Sequence, residues 1–395
     1  MKEISRIASA VQASTTLAVD SLAKRMKADG LDVVGFGTGE PDFDTPDNIK
    51  DAGVRAIREG RTKYTPAAGI LALKKAAAER LNADCGVQYA PEEIVVASGA
   101  KHSFFAALMS LVNPGDEVIV PAPYWVTYTE AVKMAGGVPV VIHARETDRF
   151  KISAAQLEAA VTPRTKLFVL NNPSNPTGML YGREELRALA DVCVRHDLYI
   201  IADEIYYRLV YDGREFVSVA SLGEDVRART ILINGVSKSY AMTGWRIGYT
   251  ASSARLAEVM GNYLSHSTAA PSTISQLAAV EALAGSQESV EAMRREFERR
   301  RDYLVARVNT VPGVSCLKPD GAFYVMINLE AQLGRTLGGR LIRDADDFAI
   351  AFLETGLVAL VSCAGFGDPN YVRMTYAASM DNIREGMDRL EAFVG

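Results

Sequence analysis

From about residue 93 to 250 the chain alternates short apolar runs with helical patterns. The runs are Glu93–Ser98, Glu117–Pro121, Val138–His143, Lys166–Asn171, Tyr199–Asp203, Thr230–Asn234 and Ile247–Thr250. Several, such as Leu167-Phe168-Val169-Leu170, are apolar throughout instead of alternating with polar residues. A strand of that kind is covered on both faces, and helices such as Arg183–His196 lie between the runs to cover it. The pattern predicts an α/β fold whose large domain holds a mostly parallel, seven-stranded sheet. Residues 286 to 311 read as a long, charged, amphipathic helix, and the composition shifts there. The remainder alternates short strands and helices, as a smaller α+β domain would. The division expected is residues 1–47 packing with the small domain, 48–287 as the large domain and 288–395 as the small one.

Bulk properties narrow the partners. Apolar residues make up 48% and charged residues 23% of 395, ordinary for a globular protein. The net charge is −5 with no polybasic run, so neither nucleic acid nor an anionic membrane is an expected partner. No apolar run reaches the ~20 residues that span a bilayer, and the N-terminus lacks the apolar stretch of a signal peptide. Cys85, Cys193, Cys316 and Cys363 are scattered and form no CxxC, which fits reduced thiols and a cytoplasmic location. The four histidines form no HExxH-like pair, so no metal is expected.

Ligands of α/β sheets bind beyond the carboxyl ends of the strands, and four runs end in polar residues. Ser98-Gly99-Ala100-Lys101 joins a strand to a helix, whose first N–H groups make an anion site. Asn171-Asn172-Pro173-Ser174-Asn175-Pro176 is an extended, rigid loop, and Asn-Pro is a candidate for a cis bond. Asp203 ends a buried strand and needs a basic residue or a ligand cation as partner. The segment GVSKSYAMTGWRIGY, 235 to 249, puts Lys238 among small residues with Arg246 close behind. Burial and a nearby cation lower a lysine's pKa, and the neutral amine forms a Schiff base with a carbonyl. Arg246 suits a phosphate. Singly, each segment has a plain structural reading: a turn for the first two, an ion pair with an arginine for Asp203 and surface charge for Lys238. Together they describe one ligand with a phosphate, an aldehyde and a pyridinium nitrogen, on whose ring Trp125 can stack. That ligand is pyridoxal 5′-phosphate.

The chain resembles the class I aminotransferase family of fold-type I pyridoxal-phosphate enzymes, and within it the bacterial aspartate aminotransferases of the Iγ (Ib) subgroup. The matching motifs are GEPDFDTP (39–46), KYTPAAGI (63–70), SGAKHSFF (98–105), PYWVTY (123–128), NNPSNPTG (171–178), DEIY (203–206), SKSYAMTGWRIGY (237–249), GAFYV (321–325) and VRMTYA (372–377). The resemblance implies that Lys238 holds the cofactor and moves the substrate's Cα proton. Asp203 would pair with the ring nitrogen, Asn175 and Tyr206 with the ring hydroxyl oxygen, and Trp125 with the ring face. Gly99, Ala100, Lys101, Ser237 and Arg246 would hold the phosphate, joined by Tyr64 from a neighbouring subunit of a homodimer with shared sites. Arg373 would bind the substrate α-carboxylate, with Asn175 and Gly39. Lys101, Thr16 and Ser14 would read the distal carboxylate of an acidic substrate.

The expected reaction is a ping-pong transfer from L-aspartate to 2-oxoglutarate. The alternatives on the same fold are an aminotransferase for aromatic or neutral amino acids, or a β-lyase. Gln12 stands where relatives that also accept prephenate tend to carry Lys or Arg, which argues against that activity. Ser362-Cys363 replaces the family's Pro-Gly near the substrate side. A dinucleotide-binding reading of Gly35-Phe36-Gly37-Thr38-Gly39 fails because the spacing is GxGxG and not GxGxxG, and because Pro41 and Pro46 stand where the helix should start.

Overall fold

All seven apolar runs form strands of one sheet, each bound within one residue of the expected one. The computed structural model describes residues 3–11 and 15–395, without the side chains of residues 15–20. In chain order the strands are β1 (Ile94–Ala97), β2 (Glu117–Ala122), β3 (Val138–His143), β4 (Thr165–Asn171), β5 (Tyr199–Asp203), β6 (Thr230–Gly235) and β7 (Gly248–Ala251). Their spatial order is β1-β7-β6-β5-β4-β2-β3. The pairs β2–β3, β2–β4, β4–β5 and β5–β6 are parallel, and β7 runs antiparallel to both of its neighbours.

The apolar runs are continuous because alternate residues serve two cores. Leu167, Val169 and Ile201 pack with Phe104, Leu108, Met260 and Leu264 of helices Ala100–Leu111 and Ala254–Ser267. Phe168, Leu170 and Ile200 pack on the other face with Leu186, Leu189 and Val192 of helix Arg183–Arg195. The sheet is thus a buried middle layer.

A second, antiparallel sheet lies in the C-terminal part. Its strands are β8 (Tyr324–Asn328), β9 (Val361–Ser362) and β10 (Tyr371–Thr375), in the order β9-β10-β8. The expected amphipathic helix is Glu288–Val308. It buries Val290, Met293, Phe297, Leu304 and Val308 at helical spacing, and Phe297, Leu304 and Val308 join a core with Phe323, Val325 and Val372. The N-terminal segment enters this region: Val34–Gly35 pairs in parallel with Val358–Ala359. The next residues, 37–40, are delivered to the edge where β4, β5 and β6 end. No helix among the described residues is long and apolar enough to cross a membrane.

Candidate active site

A cavity of about 350 Å³ opens at the carboxyl edge of the large sheet, closed on one side by β8, β10 and residues 37–40. The strand directions explain its contents. β2, β4, β5 and β6 run toward this edge, so the residues after them reach it: Trp125, Asn175, Tyr206 and Lys238, with Asp203 at the end of β5. The antiparallel β7 starts here, so Arg246, just before it, arrives at the same place. Gly39, Ala100, Lys101, Ser237 and Arg373 complete the set of expected residues in the wall.

Lys238 Nζ donates to the Gly39 carbonyl at 2.6 Å and has no carboxylate partner among the described residues. Burial, and then the Arg373 guanidinium, push its pKa down to about 8. At pH 7 roughly a tenth of the amine is therefore unprotonated, far more than for an ordinary lysine, and the neutral form is the nucleophile. Asp203 is 4% exposed and has no cationic partner within ion-pair distance among the described residues. Its donors are neutral: Tyr128 Oη at 2.7 Å and the Ile205 N–H at 3.2 Å. Burial raises its pKa, opposed by the Tyr128 bond. A cation in the cavity would relieve that burial cost.

Arg373 comes from the middle of β10 and is 4% exposed. Nη1 donates to Asn175 Oδ1 and Nη2 to the Gly37 carbonyl, both at 2.9 Å, and Nε has no partner. The guanidinium lies 4.3 Å from the Tyr324 ring centroid. Asn175 stands between two cis prolyl bonds, Asn172–Pro173 before it and Asn175–Pro176 after it. Its backbone N–H donates to Asn171 Oδ1 at 2.7 Å and its own Oδ1 accepts from Arg373, an arrangement that fixes the amide with Nδ2 as the group open to a ligand.

The anion end is built by close approach. Gly99 has φ +88°, and a Cβ there would lie 2.3 Å from Arg246 Nη2. Only glycine lets Arg246 reach the turn, where Nη1 donates to the Thr243 carbonyl and Nη2 to that of Ser98. Gly99 itself sits behind the lining, and the helix starting at Ala100 points its first N–H groups, which have no intrahelical acceptor, toward this end. Lys101 Nζ lies 5.0 Å from the Trp125 ring, and burial, then Arg246, lower its pKa.

Other expected residues fall elsewhere. Tyr64 lies outside the cavity and is fully exposed. Ser14 and Gln12 lie outside the described residues, as does the side chain of Thr16. Two tyrosines of the wall escaped the sequence reading, Tyr128 and Tyr324. Both stand in quoted motifs, but the motifs carry no sign that Tyr128 reaches an aspartate 75 positions away.

A buried lysine of lowered pKa, an acid and an arginine buried without a counter-charge among the described residues, and a helix start suited to an anion line one cavity, an arrangement that fits an enzyme with a carbonyl cofactor and a carboxylate substrate. The family profile described as aminotransferase class I and II matches residues 31–390. The aspartate aminotransferase of Bacillus subtilis is 47% identical over 394 residues, covering 100% of this chain and 99% of that protein. An aspartate/prephenate aminotransferase of Cereibacter sphaeroides is 48% identical over 386 residues, 97% of this chain and 96% of that one. The crystal structure of an aspartate aminotransferase from Rhizobium meliloti superposes with a TM-score of 0.96 at 40% identity, covering 100% and 99% of the two chains. The chain belongs to the class I and II aminotransferases and has the type I fold of pyridoxal-phosphate enzymes.

Proposed function

We propose that this enzyme is an aspartate aminotransferase that uses pyridoxal 5′-phosphate to move the amino group of L-aspartate to 2-oxoglutarate. The observation that carries the reading is a pair of buried ionisable groups facing one cavity without a counter-charge among the described residues: Asp203 without a cation and Arg373 without a carboxylate. One suits the cofactor's ring nitrogen and the other the substrate's α-carboxylate. When bound, the cofactor supplies an aldehyde for the lysine and a ring that takes up negative charge from the substrate's Cα. Asp203 keeps that ring nitrogen protonated. Asn175 and Tyr206 hold the ring hydroxyl oxygen, Trp125 covers the ring, and Gly99, Ala100, Lys101, Ser237 and Arg246 hold the phosphate. Arg373, with Asn175 and Gly39, orients the substrate so that its Cα–H faces Lys238. The unprotonated Nζ then takes the Cα proton.

Lys101, at the cavity wall beside Trp125, is the reader of the distal carboxylate together with Ser14 and Thr16. Tyr64, a fully exposed aromatic, supports a homodimer in which it completes the partner's phosphate site. A cytoplasmic location is supported by four cysteines that form no disulfide. The proposed domains, 1–47, 48–287 and 288–395, are supported by the pairing of Val34–Gly35 with Val358–Ala359 and by the long helix starting at Glu288.

The test is a half-reaction titration. The yellow, loaded protein is mixed separately with L-aspartate, L-phenylalanine and L-alanine, and loss of its absorbance is followed. Fast loss with aspartate alone is expected. Faster loss with phenylalanine or alanine would reassign the substrate and point to the Ser362-Cys363 loop. No change with any of them would point to the lyase alternative.

A further inference from the structure

Tyr324 has no task in the reading above, yet it touches three of the residues that do. It lies on β8 and is 1% exposed. Its ring is the platform beneath the Arg373 guanidinium, 4.3 Å away. Its hydroxyl shares a hydrogen bond of 2.9 Å with the hydroxyl of Tyr206. The same hydroxyl packs on Gly39 so closely that a Cβ there would lie 2.5 Å from it. The Gly39 carbonyl in turn accepts from Lys238 Nζ.

We propose that Tyr324 is a positioning residue that links the carboxylate-binding arginine to the cofactor-facing Tyr206, an inference that rests on the aminotransferase reading. The cation above its ring draws electron density from the phenol, which makes the Tyr324 O–H the better donor of the two. Tyr206 then accepts, and its own proton is free to be given to the cofactor's ring oxygen. A substrate carboxylate on Arg373 partly neutralises the cation and weakens Tyr324 as a donor. Tyr206 then gives its proton less strongly, so occupancy of the arginine is felt at the ring oxygen. Arg373 and Asp203 are the charged groups that act on this tyrosine pair.

Two variants separate the hydroxyl from the ring. Tyr324→Phe keeps the platform and removes the donor, whereas Tyr324→Leu removes both. The first readout is the pH midpoint of the absorbance of the loaded protein without substrate. A donor at the ring oxygen favours the deprotonated form, so the midpoint of Tyr324→Phe rises by about half a unit, as expected for one neutral hydrogen bond. Saturation with maleate, a dicarboxylate without an amino group, raises the midpoint less in that variant than in the unsubstituted protein. The second readout is KM for aspartate, which stays unchanged in Tyr324→Phe and rises about 5-fold in Tyr324→Leu. An unmoved midpoint or an equal maleate response in Tyr324→Phe overturns the link while leaving the enzyme's function intact. A KM in Tyr324→Leu equal to that in Tyr324→Phe overturns the platform. An unsubstituted protein whose absorbance answers to no amino acid removes the functional reading itself, and the link with it.

Discussion

Two arginines, Arg301 and Arg373, are buried almost equally and serve opposite ends. Arg301, on the long helix, is fully buried. Nε and Nη2 reach Asp302 Oδ1 at 3.0 and 2.7 Å. Nη1 and Nη2 reach the two oxygens of Asp212 at 3.0 and 2.9 Å, and Nη1 reaches the Pro319 carbonyl at 3.0 Å. Its charge is cancelled by carboxylates and every nitrogen is satisfied. Arg373 has two neutral acceptors, an unpartnered Nε and no carboxylate among the described residues. A buried charge left without a counter-charge is costly. In the proposed reading that cost is relieved when a substrate carboxylate arrives. The two acids at the end of β5 differ in direction: Asp203 faces the cavity, and Glu204 is turned into the protein, where its donors are neutral.

The largest effect expected is on the unpaired lysine. Lys238→Ala loses about 10²–10⁴-fold or more in turnover, the contribution of a positioned base, while still binding the cofactor non-covalently. Near-normal turnover would remove Lys238 from the chemistry. Next comes the arginine pair. Arg373→Met lowers kcat/KM for aspartate by roughly 10²–10³-fold, two charge-assisted hydrogen bonds' worth, with little change in urea midpoint. Arg301→Met does the reverse. It loses about 3 kcal/mol of stability, the packing and charge-assisted hydrogen bonds of a fully buried guanidinium, while the acids left behind are partly exposed and Lys318 still neutralises Asp212, and its kcat/KM is unchanged. Two variants losing stability alike, with equal activity, would break the comparison.

That contrast marks the limit of what the sequence makes legible. The seven strands are readable because a sheet covered on both faces needs unbroken apolar runs, and each run here is bounded by turn residues. Lys238 and Asn175 are readable because each stands past such a run, Asp203 because it ends one and Arg246 because it precedes the antiparallel one, and the sheet's geometry sends these ends to one edge. Arg373 has no such local sign. It sits in the middle of β10, with Val372 and Met374 beside it, and only resemblance to known relatives singles it out. Tyr128 and Tyr324 are less visible still. Their meaning lies in partners 75 and 118 positions away, which no spacing rule reaches.

The acid pair gives a smaller, pH-dependent effect. Glu204 Oε1 accepts from Ser218 Oγ at 2.9 Å and the Val219 N–H at 3.2 Å, while Oε2 is buried without a partner. Asp203, Cys85 and Tyr89 are the titratable groups that feel it. Burial pushes its pKa up from 4.5 to about 8. A raised folded-state pKa gives stability that is full below the unfolded value and is lost as pH rises through the folded one. The protein therefore loses stability between about pH 4.5 and pH 8 from this group, on the order of 2 kcal/mol once local relaxation is allowed for. Glu204→Gln, neutral throughout, lacks that loss. Urea midpoints at pH 5 and pH 8 show the variant's advantage growing with pH, with cofactor affinity unchanged. Parallel pH dependence in the two proteins would mean that Glu204 is ionised in the fold.

The smallest effect tests the cavity-facing acid. Tyr128 Oη donates 2.7 Å to Asp203 Oδ2, and the phenol is itself fully buried against Phe104 and Trp125. Tyr128→Phe keeps this packing and removes one donor from the carboxylate, worth about 1 kcal/mol. With one donor fewer, ionised Asp203 is less stable, so its hold on a cationic ring nitrogen depends on a charge that costs more to keep. The apoprotein should bind pyridoxal 5′-phosphate about 5-fold more weakly, read by absorbance titration, while Glu204→Gln binds it normally. If both variants bound the cofactor alike, facing the cavity would not distinguish Asp203 from Glu204, and Asp203 would lose its place as the ligand-facing partner.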